Sequence, residues 1–261
     1  KKTKKMSHEE KDAGFVSHLS ELRKRLIHSF IFLLIFFIGC YIFAENLYGF
    51  LVEPYAQAVK GDEINRRLIF TALQETFLTY LKISFFAAFF VTCPFFLMQI
   101  WKFIAPGLYK HEKIAILPYL ILTPILFFLG GILVYYLIMP LAIKFFLSFE
   151  STGLSTNLPI QLEAKVNEYL SLVMKLIFAF GISFQLPVVL SLLARVGVID
   201  SEFLKKRRKY VVVIIFSAAA ILTPPDPITQ IGLAIPLLIL YELSIFSVKF
   251  IEKKKLENSD A

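Results

Sequence analysis

The sequence is poor in charge and contains one tryptophan and two cysteines. Of its 261 residues, 18% are charged, 57% are apolar and 28 are phenylalanine. Soluble domains carry about 25% charged residues, so this composition excludes an ordinary soluble protein. Cys40 and Cys93 both fall in long apolar runs, and neither has a Cys or His neighbour at the spacing of metal ligands. We therefore expect both cysteines to be packing residues.

The sequence also lacks the motifs that carry common catalytic chemistry. It has no Gly-rich phosphate loop ending in Gly-Lys, no Gly-x-Ser-x-Gly turn and no cluster of His, Cys or Asp suited to catalysis. His111-Glu112 begins like a zinc-protease motif, but Ala115 stands where the second His is needed. We predict that the protein is not an enzyme and uses no cofactor or metal.

Long apolar runs recur along the chain. A membrane-crossing helix needs roughly 20 apolar residues, and runs near or above this length predict spans at about 26–44, 76–100, 114–147, 166–194, 210–222 and 228–248. The sequence therefore predicts an all-α integral membrane protein with six transmembrane helices. Residues 15–250 form one membrane domain, between a basic amino-terminal tail, 1–14, and a carboxy-terminal tail, 251–261.

Prolines and polar residues predict irregular helices within these spans. The third run contains three prolines, which bend membrane helices, so we expect a kinked and tilted helix; they are Pro118, Pro124 and Pro140. Gln185-Leu186-Pro187 interrupts the fourth run, and Asp200-Ser201 is a helix-start signal. The fifth run has 13 residues, which is about 20 Å of helix against a hydrocarbon core of about 30 Å. The fifth and sixth spans therefore form a short hairpin, where local thinning of the bilayer is expected.

The net charge of +8 comes from Lys and Arg clustered between the spans. Segments on one side of the predicted bundle hold 21 of these residues, and segments on the other side hold 4. Under the positive-inside rule this bias places both termini in the cytoplasm. Topology explains the clusters, so we predict no nucleic-acid partner. Residues 15–26 have apolar side chains at helical spacing, which predicts an amphipathic helix at the interface before the first span.

Several polar side chains fall inside the spans, where they need partners or access to the interface. Lys82, Lys144 and Lys175 lie near the outer halves of their helices, and we expect them to snorkel. Glu242 lies about two turns from the basic inner end and is expected to pair within the bundle. Gln185 is nearer mid-span, where a structural bond between helices and a bond to a partner protein's helix are equally consistent with its amide.

The short segment 101–113 is basic and rich in aromatic residues. One acidic residue, Glu112, lies among three lysines, and the restraining proline and aromatic residues are Trp101, Phe103, Pro106 and Tyr109. Such a loop at a membrane surface is either an interfacial aromatic anchor or a docking site, and composition alone favours the anchor.

Four motifs, taken in order along the chain, resemble those of the TatC family. They are Ser17-His18-Leu19-x-Glu21-Leu22-Arg23-Lys24-Arg25-Leu26, Trp101-x-Phe103-Ile104-x-Pro106-x-Leu108-Tyr109-x-His111-Glu112, Phe180-Gly181-x-x-Phe184-Gln185-x-Pro187-Val188 and Thr223-Pro224-Pro225-Asp226-x-x-x-Gln230-x-x-x-Ala234-x-Pro236. Six spans with both termini in the cytoplasm also match this family, and the resemblance covers residues 15–250.

The resemblance implies the core receptor of the twin-arginine translocation system, which exports folded proteins with energy from the proton motive force. The implied partners are twin-arginine signal peptides and single-span proteins of the TatA and TatB type, with TatB-type subunits in an oligomeric complex. The implied location is the bacterial plasma membrane, with an organelle membrane as the second possibility.

The resemblance also implies roles for individual residues. Glu21 and Glu112 match the acidic residues that meet the twin-arginine motif, and the same recognition surface includes Arg23, Phe103, Pro106, Tyr109, Lys110 and His111. Pro54 and Asp226 match outer-face positions that are important for transport. Many family members have Glu where this chain has Gln185, so we expect a hydrogen-bonding role for Gln185 in positioning a TatA-type or TatB-type helix.

Two other function classes compete with the receptor. A small-solute or ion transporter should show ionisable residues at the midplane and an inverted repeat, and the sequence has no such repeat. A passive scaffold for partner helices shares the argument for Gln185 but leaves Glu21 and Glu112 without a function.

Overall fold

The chain is helical throughout most of its length. The computed structural model describes residues 2–60, 67–104, 113–151, 158, 160–223 and 226–257, and of these it describes the backbone alone for 2–19, 21–22, 101–104, 113–117 and 254–257. The helices are α1 (Lys2–Ile42), α2 (Ala44–Ala58), α3 (Glu75–Ile104), α4 (Lys113–Leu133), α5 (Met139–Leu147), α6 (Val166–Ser183), α7 (Leu186–Val196), α8 (Ser201–Leu222) and α9 (Pro227–Glu257). A π-helical turn, Val134–Ile138, joins α4 to α5. The only β contacts in the described part are isolated bridges, Ile69 with Lys165 and Ser151 with Ile160.

Five helical segments of the described chain are long and apolar enough to cross a membrane. They are Arg23–Ile42, Glu75–Ile100, Pro118–Leu147, Val166–Val196 and Pro227–Lys253. This confirms the all-α membrane architecture. The predicted fifth span lies within α8, whose first turns carry five consecutive basic residues, 205–209, and leave only the 13 residues 210–222, of which 12 are apolar. The count of six spans and their orientation stay predictions.

The amino-terminal part of the chain differs from the expectation in two ways. The predicted interfacial helix, 15–26, is continuous with the first span, because α1 runs without interruption from Lys2 to Ile42. The polar stretch that follows the first span contains a further helix, α2, although Pro54 lies inside it. Leu51 and Tyr55, four residues apart, are buried and place α2 against the core.

The predicted irregularities near Pro140 and at Gln185-Leu186-Pro187 are confirmed, whereas α4 runs continuously across Pro118 and Pro124. Pro140 has no N–H to donate to the carbonyl of Tyr136, and the π turn lies directly before this proline. Helix α6 ends at Ser183, and α7 begins at Leu186 with Pro187 in its first turn, where a backbone N–H would have no helical partner. The expected start of α8 is also confirmed, since the Asp200 carboxylate accepts a hydrogen bond from the Phe203 N–H.

Helix α6 forms the centre of the core. Leu170, Val173 and Phe180 on this helix are completely buried. Glycines allow α4 to approach α6 closely: a Cβ added to Gly130 would lie 2.8 Å from the carbonyl oxygen of Phe180. The backbones of α4 and α6 therefore touch at a point where no side chain fits.

We predict that Gly130→Ala destabilises the protein, because overpacking against a backbone atom costs about 1–3 kcal/mol. Gly39→Ala is the matched control, since a Cβ at Gly39 on α1 has no neighbour within 4 Å. Both substitutions gain the same helix propensity of Ala over Gly. Thermal unfolding in detergent should show a lower melting temperature for Gly130→Ala alone. Equal melting temperatures for the two variants would contradict the close approach of α4 and α6.

Candidate functional site

The predicted recognition residues that the structure describes lie on α1 and at the end of α3. Arg23 is exposed on α1, and the backbones of Glu21 and Phe103 lie on α1 and α3. The side chains of Glu21 and Phe103 lie outside the described residues. Residues Pro106, Tyr109, Lys110, His111 and Glu112 also lie outside them, so the meeting of these side chains stays a prediction.

A hydrogen bond fixes α1 against α3 close to these positions. The Nη1 atom of Arg25 donates to Oε1 of Gln99 at 3.0 Å. Arg25 lies one helical turn after Glu21, and Gln99 lies one turn before Phe103. The two elements that carry the predicted recognition residues are therefore joined at the same end of the bundle. The sequence reasoning missed Gln99, whose signal is a single amide within the apolar run 95–100.

Gln185 occupies the break between α6 and α7 and is 5% exposed. Its Nε2 atom donates to the carbonyl oxygen of Thr123 on α4 at 3.0 Å, which is one of the two roles left open by the sequence; the contact with a partner helix stays a prediction. Its Oε1 atom is buried and has no hydrogen-bond partner within the described part of the chain. An unpaired buried acceptor costs about 1–3 kcal/mol, so a donor from outside this chain would be bound favourably.

Pro54 creates a backbone acceptor that a tyrosine satisfies. Pro54 is buried within α2 and has no N–H for the carbonyl oxygen of Phe50, four residues earlier. The Tyr135 hydroxyl, on the π turn, donates to that oxygen at 2.8 Å, and the rings of Phe50 and Tyr135 stack with centroids 4.4 Å apart. Tyr169 on α6 donates to the next carbonyl, that of Leu51, at 3.1 Å. Two tyrosines therefore anchor α2 to the core.

Asp226 caps the amino end of α9 and is 4% exposed. Its Oδ2 atom accepts from the Thr229 N–H at 2.7 Å, and its Oδ1 atom accepts from the Thr229 hydroxyl at 2.5 Å. A carboxylate at this position satisfies a free N–H and meets the positive end of the helix dipole. Asp226 thus fixes the start of α9 at the α8–α9 hairpin.

Three further charged side chains, on α3, α8 and α9, have partners within the chain. Glu242 forms an ion pair within this chain, with Arg208 Nη2 at 2.6 Å, but the pair lies on the exposed side of α8 and α9 rather than inside the bundle as expected. Lys82 Nζ donates to Oδ1 of Asn167 at 2.8 Å. On α8, a hydrogen bond and the charge of Glu202 raise the pKa of Lys206 above its ordinary value. Among the described residues, no three His, Cys, Asp or Glu side chains are grouped so that they could hold a metal ion.

We predict that Tyr135→Phe destabilises the protein by about 1 kcal/mol, because the partly buried hydrogen bond from the hydroxyl to the Phe50 carbonyl is lost. The control is Tyr136→Phe, since the adjacent Tyr136 is 70% exposed. Chemical or thermal unfolding in detergent measures the difference. If Tyr135→Phe is as stable as Tyr136→Phe, the hydroxyl does not support α2.

The chain is similar to proteins of one family over nearly its whole length. A family model described as "Sec-independent protein translocase protein (TatC)" matches residues 17–236. A protein named Sec-independent protein translocase protein TatC from Magnetococcus marinus is 50% identical, over 97% of this chain and 90% of that protein. The protein of the same name from Rickettsia prowazekii is 47% identical, over 94% of this chain and 96% of that protein.

A solved structure agrees with these similarities. The crystal structure of the "Twin Arginine Translocase Receptor- TatC" superimposes with a TM-score of 0.75 and 40% identity, covering 90% of this chain and 99% of that one. The TatC protein of Escherichia coli K12 is 35% identical, over 90% of this chain and 88% of that protein. These findings confirm the resemblance found in the four motifs, and the chain therefore belongs to the TatC family of Sec-independent protein translocase proteins.

Proposed function

We propose that this chain is the receptor of a twin-arginine translocase and that it binds twin-arginine signal peptides at its cytoplasmic face. The similarity to a solved twin-arginine translocase receptor over 90% of the chain carries this proposal. The bond between Arg25 and Gln99 supports it, because it holds the helix of Glu21 beside the helix that leads into the loop of Glu112. The relatives are bacterial proteins, and the proposed location is the bacterial plasma membrane.

Carboxylates suit the recognition of paired arginines. A guanidinium group forms two parallel hydrogen bonds with a carboxylate, and a lysine ammonium cannot reproduce this geometry. Glu21 and Glu112 are the proposed carboxylates, and Arg23, Phe103, Pro106, Tyr109, Lys110 and His111 are the proposed surroundings. The apolar segment of the signal adds affinity by lying along the helices, which makes the preference for arginine moderate.

Gln185 is the proposed contact for a TatA-type or TatB-type helix. Its amide nitrogen is already bonded to Thr123, whereas its carbonyl oxygen is buried without a partner in the described part of the chain. The partner helix should therefore present a donor at this depth. Since Gln cannot titrate, this contact works through hydrogen bonding, and the proton motive force acts at another step of transport.

The outer-face residues Pro54 and Asp226 have a proposed supporting role in transport. Pro54 leaves the Phe50 carbonyl free for the Tyr135 hydroxyl, and Asp226 caps the start of α9 through Thr229. The transporter alternative is less well supported, because the charged pair described within the spans, Arg208 with Glu242, neutralises itself and lies on the outside of one hairpin.

We predict that the protein, in nanodiscs, binds an Arg-Arg signal peptide about tenfold more tightly than its Lys-Lys counterpart, because one bidentate bond is lost with lysine. Glu21→Ala and Glu112→Ala should weaken binding and reduce the preference for arginine. Glu202→Ala, an exposed carboxylate on α8, is the control and should bind as the unmodified protein does. Equal affinity for both peptides in the unmodified protein and in every variant would contradict the proposed receptor function.

We also predict that Gln185→Leu weakens the binding of a TatA-type or TatB-type helix, because leucine offers no acceptor, while Gln185→Glu keeps binding. Co-purification from detergent measures the complex. Thr92→Val is a suitable control, since the buried Thr92 hydroxyl donates only within its own helix, to Ala88 and Phe89. Undiminished partner binding by Gln185→Leu would contradict the proposed contact.

A further inference from the structure

As the predicted fifth span, helix α8 would carry its positive charge within the depth of the hydrocarbon. Residues 205–209 are all Lys or Arg and are all exposed. Only 13 residues separate Lys209 from the end of the helix at Leu222, which is about 20 Å of helix. The hydrocarbon core is about 30 Å thick. If Leu222 lies at one surface of the hydrocarbon, Lys209 begins about 10 Å inside the other surface.

The neighbouring helix gives the same depth independently. Glu242 on α9 pairs with Arg208 and lies 15 residues from the helix start at Pro227, which is about 22 Å. Both side chains are half exposed, at 50% and 53%, so the ion pair lies on the outside of the hairpin. Exposed charges in hydrocarbon are costly. Polar lipid groups must therefore reach this depth beside α8 and α9.

Part of the positive charge in the basic turn of α8, residues 205–209, has no acidic partner among the described residues. Lys206 pairs with Glu202 at 2.9 Å, and Arg208 pairs with Glu242. For Lys205, Arg207 and Lys209, no carboxylate of the described residues lies within ion-pair distance. Three uncompensated cations at the membrane boundary favour an anionic ligand.

Aromatic and apolar side chains define the chemistry of that ligand further. The Arg207 guanidinium lies 4.8 Å from the centre of the Phe203 ring, and Lys209 Nζ lies 5.2 Å from that of Tyr210. Exposed aliphatic residues follow immediately at 212–214. Cations and aromatic rings above an aliphatic surface are complementary to a phosphate group that is attached to acyl chains. An acidic soluble protein could contact the cations but would leave this aliphatic surface uncovered.

We propose that the basic turn of α8, Lys205–Lys209, binds the head group of an anionic phospholipid that is drawn inward beside the short helix. The lipid phosphate neutralises Lys205 and Lys209, which lie four residues apart on one face of α8, and its displacement toward the midplane solvates the pair of Arg208 and Glu242. The side of the membrane follows from the proposed orientation, in which this turn faces the cytoplasm. Lipid binding itself is independent of signal-peptide recognition.

Native mass spectrometry of the full-length protein in detergent tests the proposal, with phosphatidylglycerol and phosphatidylcholine as the added lipids. The protein should retain phosphatidylglycerol in clear preference to phosphatidylcholine. The double variant Lys205→Gln/Lys209→Gln should lose about tenfold in affinity for phosphatidylglycerol. The matched control is Lys249→Gln/Lys253→Gln, which removes two exposed lysines farther along α9 and should retain the lipid.

Three results would overturn the proposal. They are equal retention of the two lipids by the unmodified protein, equal phosphatidylglycerol affinity of the two double variants, and equal loss of phosphatidylglycerol by both double variants relative to the unmodified protein. The first comparison needs no variant and therefore does not depend on variant folding. Signal-peptide binding by the same samples reports separately on the proposed receptor function.

Discussion

A proline inside a helix leaves the carbonyl four residues earlier without its donor, and that carbonyl needs another donor wherever water is excluded. The architecture around α2, the π turn and α6–α7 follows from this constraint. Pro54 leaves the Phe50 carbonyl for the Tyr135 hydroxyl. Pro140 follows the π turn that carries Tyr135. Pro187 sits in the first turn of α7, so the long apolar run is divided into two helices at Gln185.

These breaks place polar groups where a continuous helix would place apolar ones. The amide of Gln185 reaches α4 through Thr123 and leaves one buried oxygen for a further donor. At the start of α9, the Asp226 carboxylate accepts a hydrogen bond from the Thr229 hydroxyl and so fixes the α8–α9 hairpin. The helical framework thus presents a few defined polar contacts, which the proposed binding of a signal peptide and of partner helices would use.

The sequence predicted features that depend on local pattern and on helix chemistry. Apolar runs predicted the membrane helices, and the interruption at Gln185-Leu186-Pro187 and the cap at Asp200 were confirmed. Helix α2 was not predicted, because its stabilisation comes from tyrosines more than 80 residues away. The bond between Arg25 and Gln99 was missed for the same reason. The recognition residues were identified by family motifs alone, and of these side chains the structure describes only Arg23.

The most direct test of the receptor is to locate the bound signal peptide by site-specific photo-crosslinking. Lys24 is exposed on α1 next to the proposed recognition residues, whereas Gln57 is exposed on α2 among the outer-face contacts. The account predicts that a crosslinker at position 24 captures the Arg-Arg peptide near its paired arginines, that a Lys-Lys peptide is captured poorly, and that position 57 captures neither arginine region. Capture of that region at position 57, or equal capture of both peptides at position 24, would contradict it.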